Sequence, residues 1–107
     1  MKIVNRKEFL SLPAGTLFAK YAPCCFESIN IKGETLTSND FLSSELFTFP
    51  MFGESCAMME LGESVDIETD CLCRDGLFDD EQLFAVFENS DIEKLIAKLK
   101  ELKNGRG

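Results

Sequence analysis

Residues 82–102, QLFAVFENSDIEKLIAKLKEL, decide the fold that we predict for this chain. The run 82–88 is apolar on both faces, which predicts a strand that is covered on both sides. Residues 90–103 then predict a helix, with a capping box at Ser90-Asp91-Ile92-Glu93. Its apolar positions share one helix face: Ile92, Leu95, Ile96, Leu99 and Leu102. We expect this helix to supply part of the cover that the strand needs, and the rest of the chain to pack around both.

Shorter elements precede this stretch. The spacing of Asn5 and Glu8 is that of a capping box, and it predicts a short helix that ends before Pro13. The runs 16–21 and 27–32 predict two strands of a hairpin. We expect a third strand near 40–48, a short helix from Gly53 to Leu61, a strand at 64–68 and a long acidic loop at 70–81.

These elements predict one α+β domain over residues 1–107. Strands joined by short connections favour an antiparallel sheet of about five strands, with a curled, barrel-like sheet as the alternative. The helix at 90–103 and two shorter helices would pack on it. A chain of 107 residues can close one hydrophobic core without metal or disulfides.

No apolar run approaches the roughly 20 residues that span a bilayer, and the first residues lack a long apolar signal region. We therefore expect a soluble, cytoplasmic protein that does not bind membranes. The odd count of five cysteines predicts reduced thiols. Zinc is the alternative, but neither Cys24-Cys25 nor Cys71-x-Cys73 has the usual Cys-x2-Cys spacing, and the chain has no histidine. We expect no metal and no cofactor.

The sequence also argues against catalysis. Without histidine, no obvious base is available to activate a cysteine or serine, and no Gly-rich phosphate loop is present. Asp66, Glu68 and Asp70 alternate as at the start of a calcium loop, but Cys71 and Leu77 occupy positions that such a loop gives to Gly and Glu. We predict that the protein is not an enzyme.

Charge is distributed very unevenly along the chain, whose net charge is −8. Residues 33–93 hold sixteen acids and one base, whereas both ends are mildly basic. An acidic surface repels nucleic acid and attracts basic protein surfaces, although acids also simply keep a small protein soluble. We predict a partner-binding face made of seven carboxylates: Asp66, Glu68, Asp70, Asp75, Asp79, Asp80 and Glu81.

A few cations lie away from the chain ends. A small positive pocket would form if three of them converge: Lys20, Lys32 and Arg74. Tyr21 would then be available to stack on the ring of a ligand. Such a pocket would suit an anionic, nucleotide-like ligand. The alternative is that each base pairs locally with a carboxylate, Arg74 with Asp75 or Asp79 being the obvious case.

Three runs of the sequence carry a resemblance: residues 9–16 (FLSLPAGT), 31–33 (IKG) and 74–86 (RDGLFDDEQLFAV). Together they resemble a group of small, mostly uncharacterised accessory proteins of tailed bacteriophages and prophages. The resemblance is thin between residues 38 and 63, and it brings no catalytic residues. It implies a protein that acts in a bacterial cytoplasm by binding a host protein, for example as a counter-defence inhibitor. Sequestration of a nucleotide-like ligand is the alternative.

Overall fold

A computed structural model describes residues 1–22, 25–37, 39–48, 51–52, 55–56, 61–62, 64, 66–69 and 71–105. Its elements, in chain order, are β1 (Lys2–Val4), α1 (Arg6–Leu10), β2 (Leu17–Ala22), β3 (Cys25–Leu36), β4 (Asp40–Glu45), β5 (Met51–Phe52), β6 (Ser55–Cys56), β7 (Leu72–Arg74), β8 (Leu83–Val86) and α2 (Asn89–Asn104).

The architecture is α+β, as predicted. Six strands form one sheet in the order β1-β8-β2-β3-β4-β7, and all of its pairings are antiparallel. The predicted hairpin is the β2–β3 pair, and β4 confirms the strand expected near 40–48. The sheet is open, because its two edge strands, β1 and β7, do not pair with each other, so the barrel-like alternative is wrong.

The strand predicted at 82–88 is β8, and it lies inside the sheet between β1 and β2. Phe84 and Ala85 point to opposite faces, and both are fully buried. Leu83, at the start of the strand, is 36% exposed. The prediction of a strand covered on both sides therefore holds for the middle of β8.

The core is closed by α1, one of the two shorter helices that we expected to pack on the sheet together with the C-terminal helix. Asn5 caps α1 as expected, its Oδ1 accepting from the Glu8 N–H at 2.9 Å. Phe9 is fully buried and stacks on Phe84, with 4.0 Å between ring centroids and 6° between ring planes. Phe18 and Phe41 meet the Phe9 ring edge-on at 4.7 and 5.0 Å. One turn of helix therefore closes this face of the sheet with a single aromatic ring.

The C-terminal helix α2 packs on the sheet beside the turn at residues 12–17. Ile92 is half-buried and lines a cleft there with Leu17 and Val86, but no residue of α2 is buried. The helix begins one residue earlier than predicted, because its N-cap is Glu88, whose N–H donates to Asp91 at 2.9 Å. The prediction that a C-terminal helix packs on the sheet is confirmed, but α2 does so through its first turn, and its apolar stripe stays exposed beyond that turn.

Three further expectations need correction. Within the segment expected to be a helix from Gly53 to Leu61, Ser55–Cys56 form β6, which pairs with β5; residues 53, 54 and 57–60 lie outside the described part. At 64–68 the described residues show one isolated bridge, between Thr48 and Glu68, rather than a strand. The loop expected at 70–81 contains the edge strand β7. Within the described ranges, no helix has the length and apolar character needed to cross a membrane.

We expect Phe9→Ala to lower the free energy of unfolding by roughly 3–5 kcal/mol, because it leaves a cavity under α1 that neighbouring rings cannot fill. Urea denaturation measures this change. Phe47→Ala is the matched control, because Phe47 is 59% exposed and its loss leaves stability within about 0.5 kcal/mol. Equal effects of the two substitutions would contradict the placement of the core.

Candidate functional site

The candidate site is the loop at residues 75–81, DGLFDDE, which connects β7 to β8. Its backbone is tied to the start of β4. The Asp75 N–H donates to the Phe41 carbonyl oxygen at 2.9 Å, and the Gly76 N–H donates to Asp40 Oδ1 at 2.9 Å. The first half of the loop is therefore fixed by the sheet itself.

The Asp75 carboxylate holds the loop to two other elements. Its side chain is only 4% exposed, and it pairs with Lys20 of β2 at 2.7 Å and with Arg6 of α1 at 3.4 Å. Arg6 is also buried and donates to Asn39 Oδ1 at 2.8 Å and to the Asp79 carbonyl oxygen at 3.4 Å. Helix α1, strand β2 and both halves of the loop thus meet at one ion-pair cluster.

A second ion pair continues this cluster. Arg74 Nε donates to the buried carboxylate of Asp40. That hydrogen bond, together with the N–H groups of Gly76 and Phe41, holds the pKa of Asp40 below its usual value. The Arg74 guanidinium also lies 5.6 Å from the centre of the Phe78 ring. Arg74 therefore connects the sheet to the outer part of the loop.

Two of the four residues predicted to bind an anion meet at a cavity. Lys20 and Arg74 line a space of ≈ 270 Å³ together with Ser28, Asn30 and Asp75. Both cations already pair with buried carboxylates, and the volume lies below the roughly 300–1,000 Å³ usual for small-molecule sites. The geometry therefore agrees better with local pairing, although the partner of Arg74 is Asp40.

Lys32 and Tyr21 do not line this cavity. Tyr21 is half-buried on β2 opposite Leu83 of β8. Lys32 is 1% exposed, and its Nζ donates to Thr35 Oγ1 at 2.8 Å and lies 5.8 Å from the centre of the Phe9 ring. Burial lowers the pKa of Lys32, with a smaller opposite effect from Glu34. The structure therefore places Lys32 in the core, away from Lys20 and Arg74.

The outer part of the loop is apolar and acidic. Leu77 is 67% exposed and Phe78 is 45% exposed, and the three carboxylates that follow are also exposed: Asp79, Asp80 and Glu81. Phe78 has a φ of 54°, an unfavourable conformation for a bulky side chain. The cluster contacts the residues on either side of Phe78: the Leu77 N–H donates to Asp75 Oδ2 at 3.4 Å, and Arg6 donates to the Asp79 carbonyl oxygen at 3.4 Å. Leu77 and Phe78 themselves remain exposed beside the acids.

The seven predicted partner-binding carboxylates do not form one continuous face. Asp66 and Glu68 are exposed near the Thr48 bridge, beyond the end of β4, whereas the loop is anchored at the start of β4. Asp75 is a buried member of the ion-pair cluster rather than a free surface acid. Asp70 lies outside the described residues. The acids that accompany exposed apolar side chains on an anchored loop are Asp79, Asp80 and Glu81.

Sequence reasoning missed Arg6, Asp40 and Asn39 as members of the cluster, because nothing local marks these partners. It also passed over Leu77 and Phe78, although two large apolar residues within an acidic run are a readable signal for a binding loop. Cys71 is a free, half-buried thiol and Cys73 is a free, exposed one. Among the described residues, no cluster of three or more Cys, Asp or Glu side chains could hold a metal ion.

Comparison with known proteins adds no assignment: no family model, no curated protein and no solved structure matches the chain. A functional conclusion must therefore come from the sequence pattern and from the geometry of the loop.

We expect Asp75→Asn to lower the free energy of unfolding by roughly 3 kcal/mol, because Arg6 and Lys20 would lose their buried counter-charge. Asp80→Asn is the matched control, since Asp80 is exposed, and it should change stability by less than about 0.5 kcal/mol. Urea denaturation of the two variants makes the comparison. An Asp75→Asn protein as stable as the wild-type chain would show that the ion-pair cluster contributes little to the free energy of unfolding.

The buried Lys32 predicts a specific pH dependence. Because its pKa is lowered in the folded state, the unfolded chain binds more protons in the pH range just below 10.5, so stability should rise with pH there. The Lys32→Met variant lacks the titrating group. As the pH is raised from neutral toward 10.5, the free energy of unfolding of the wild-type chain should therefore increase relative to that of the variant. Denaturation curves of both proteins at several pH values measure the difference; parallel pH profiles would contradict a desolvated Lys32.

Proposed function

We propose that this chain is a non-enzymatic accessory protein of a tailed bacteriophage or prophage that binds a bacterial host protein through the 75–81 loop. The loop geometry supports protein binding. The phage origin, the host cytoplasm as compartment and counter-defence inhibition as the outcome are supported by the sequence resemblance alone.

The observation that carries the proposal is a loop that buried ion pairs attach to the sheet and that exposes apolar side chains to solvent. Leu77 and Phe78 present apolar surface, and the three exposed carboxylates that follow them, Asp79, Asp80 and Glu81, add negative charge beside it. Interfaces commonly combine an apolar centre, which supplies most of the affinity, with a charged rim. The ion pairs of Asp75 and Asp40 fix the loop before binding, so little ordering entropy is lost when a partner docks.

The loop also defines the chemistry of the partner. Its apolar tip requires a shallow hydrophobic pocket, and its carboxylates require lysines or arginines around that pocket. The net charge of −8 would steer the protein toward such a basic surface over a distance set by the salt concentration. Binding of a nucleotide-like ligand has weaker support, because the cations that would bind it are engaged with Asp40 and Asp75.

We expect the wild-type chain, immobilised as bait in bacterial lysate, to retain a basic host protein at low salt and to lose most of it at high salt. Leu77→Ser should remove retention, because a central apolar anchor contributes more than about 1 kcal/mol to binding. Asp80→Lys should slow association and reduce the salt dependence. Titration of the purified partner against each variant gives the dissociation constants.

Glu93→Lys is the control for Asp80→Lys, because it makes the same charge change at an exposed position of α2, which meets the sheet near Leu17 and Val86 rather than at the loop. It should retain the partner. The proposal fails if no protein is retained by the wild-type chain, or if Leu77→Ser retains the same protein as strongly. A nucleotide that raises the melting temperature of the wild-type chain, with no partner protein found, would favour the ligand-binding alternative.

A further inference from the structure

The C-terminal helix α2 exposes an apolar stripe that the described part of its own chain does not bury. The exposed fractions are 37% for Leu95, 46% for Ile96, 62% for Leu99 and 49% for Leu102. Ile92, in the first turn, is half-buried against the sheet. Four large apolar side chains side by side on one exposed helix face are typical of a surface that binds another molecule.

The spacing of the stripe indicates what kind of element it fits. Positions 92, 95, 99 and 102 follow the 3-4-3 spacing of a and d sites in a heptad, and Ile96 widens the seam at a neighbouring site. Side chains at this spacing interdigitate with those of a second helix. The face therefore fits a helix better than a flat apolar surface.

Charge identifies that second helix and its direction. Residues 88–96 hold three acids and one base, whereas residues 97–104 hold three bases and one acid. The first half thus has a net charge of −2 and the second half a net charge of +2. An antiparallel copy of the same helix would bring opposite halves together twice, whereas a parallel copy would bring like charges together. An anionic membrane would repel both the acidic half and the body of the protein.

We propose that the chain forms a symmetric dimer in which α2 pairs antiparallel with α2 of a second copy. Leu95 of one copy lies against Leu99 of the other at the centre of the seam, and Ile96 meets its own equivalent beside them. This contact does not involve the 75–81 loop, so the dimer presents two binding loops at once. It is independent of the function proposed above.

The expected dimer is weak. A helix of 16 residues is about 24 Å long, and one such contact buries less surface than the roughly 1,200 Å² at which stable specific interfaces begin. We therefore expect a dissociation constant on the order of 100 μM, so that monomer and dimer interconvert with protein concentration.

Analytical ultracentrifugation between roughly 10 μM and 1 mM tests the proposal. The mean mass of the wild-type chain should rise from the 12.0 kDa of one chain toward twice that value. Leu99→Glu should raise the dissociation constant at least tenfold. Ala97→Glu is the matched control, because it introduces the same residue on the opposite, exposed side of the helix, and it should dimerise like the wild-type chain.

A charge exchange tests the direction of pairing. Glu93→Lys combined with Lys100→Glu keeps the net charge but removes the difference between the two halves of α2. Antiparallel pairing predicts weaker association of this double variant, whereas parallel pairing predicts stronger association. Far-UV circular dichroism of each variant checks that α2 still forms.

Three outcomes would overturn the proposal. One is a wild-type chain that stays monomeric at the highest concentration, and another is association that Leu99→Glu leaves unchanged. The third is stronger association of the charge-exchanged variant. If the chain is monomeric but sediments with anionic lipid vesicles, the apolar stripe binds membranes instead.

Discussion

The stack of Phe9 on Phe84 joins the short helix α1 to the centre of the sheet. The sheet has an apolar face, and α1, with only five residues, is the helix that closes it. One ring from α1 therefore meets aromatic rings from β2, β4 and β8, and all four of these phenylalanines are essentially fully buried. Each such side chain contributes about 1.5–3 kcal/mol by leaving water. A small domain can be built this way because aromatic rings bury a large area per residue.

The same short helix also organises the candidate site. Phe9 fills the core, and Arg6, one turn earlier, reaches Asp75 and Asn39 at the edge of that core. The loop at 75–81 is thus attached to the element that closes the sheet. Stability and the binding that we propose would be coupled for this reason: a change that displaces α1 would also release the loop. The strained backbone at Phe78 lies between Leu77 and Asp79, each of which is hydrogen-bonded to a member of this cluster.

Coverage by α1 has a second consequence at the other end of the chain. Because the core is already closed, α2 contacts the sheet at its first turn and leaves its apolar stripe exposed. The molecule therefore exposes apolar side chains at two separate places, the 75–81 loop and the stripe of α2. The loop carries acids, the basis on which we propose a basic partner, and the helix has opposite charges in its two halves, the basis on which we propose a second copy of itself.

Features that depend on neighbouring residues could be predicted from the sequence: the periodicity of α2, the Asn5 cap, the β2–β3 hairpin, the interior strand β8 and the acidic middle of the chain. Three features depend on contacts between distant residues and emerge only in the folded chain: which helix closes the core, the edge strand at Lys2–Val4, and which charges pair. The physical reason is distance along the chain. Arg6 and Asp75 are 69 residues apart, and nothing local distinguishes Asp75, a buried anchor, from Asp80, an exposed acid on the same loop.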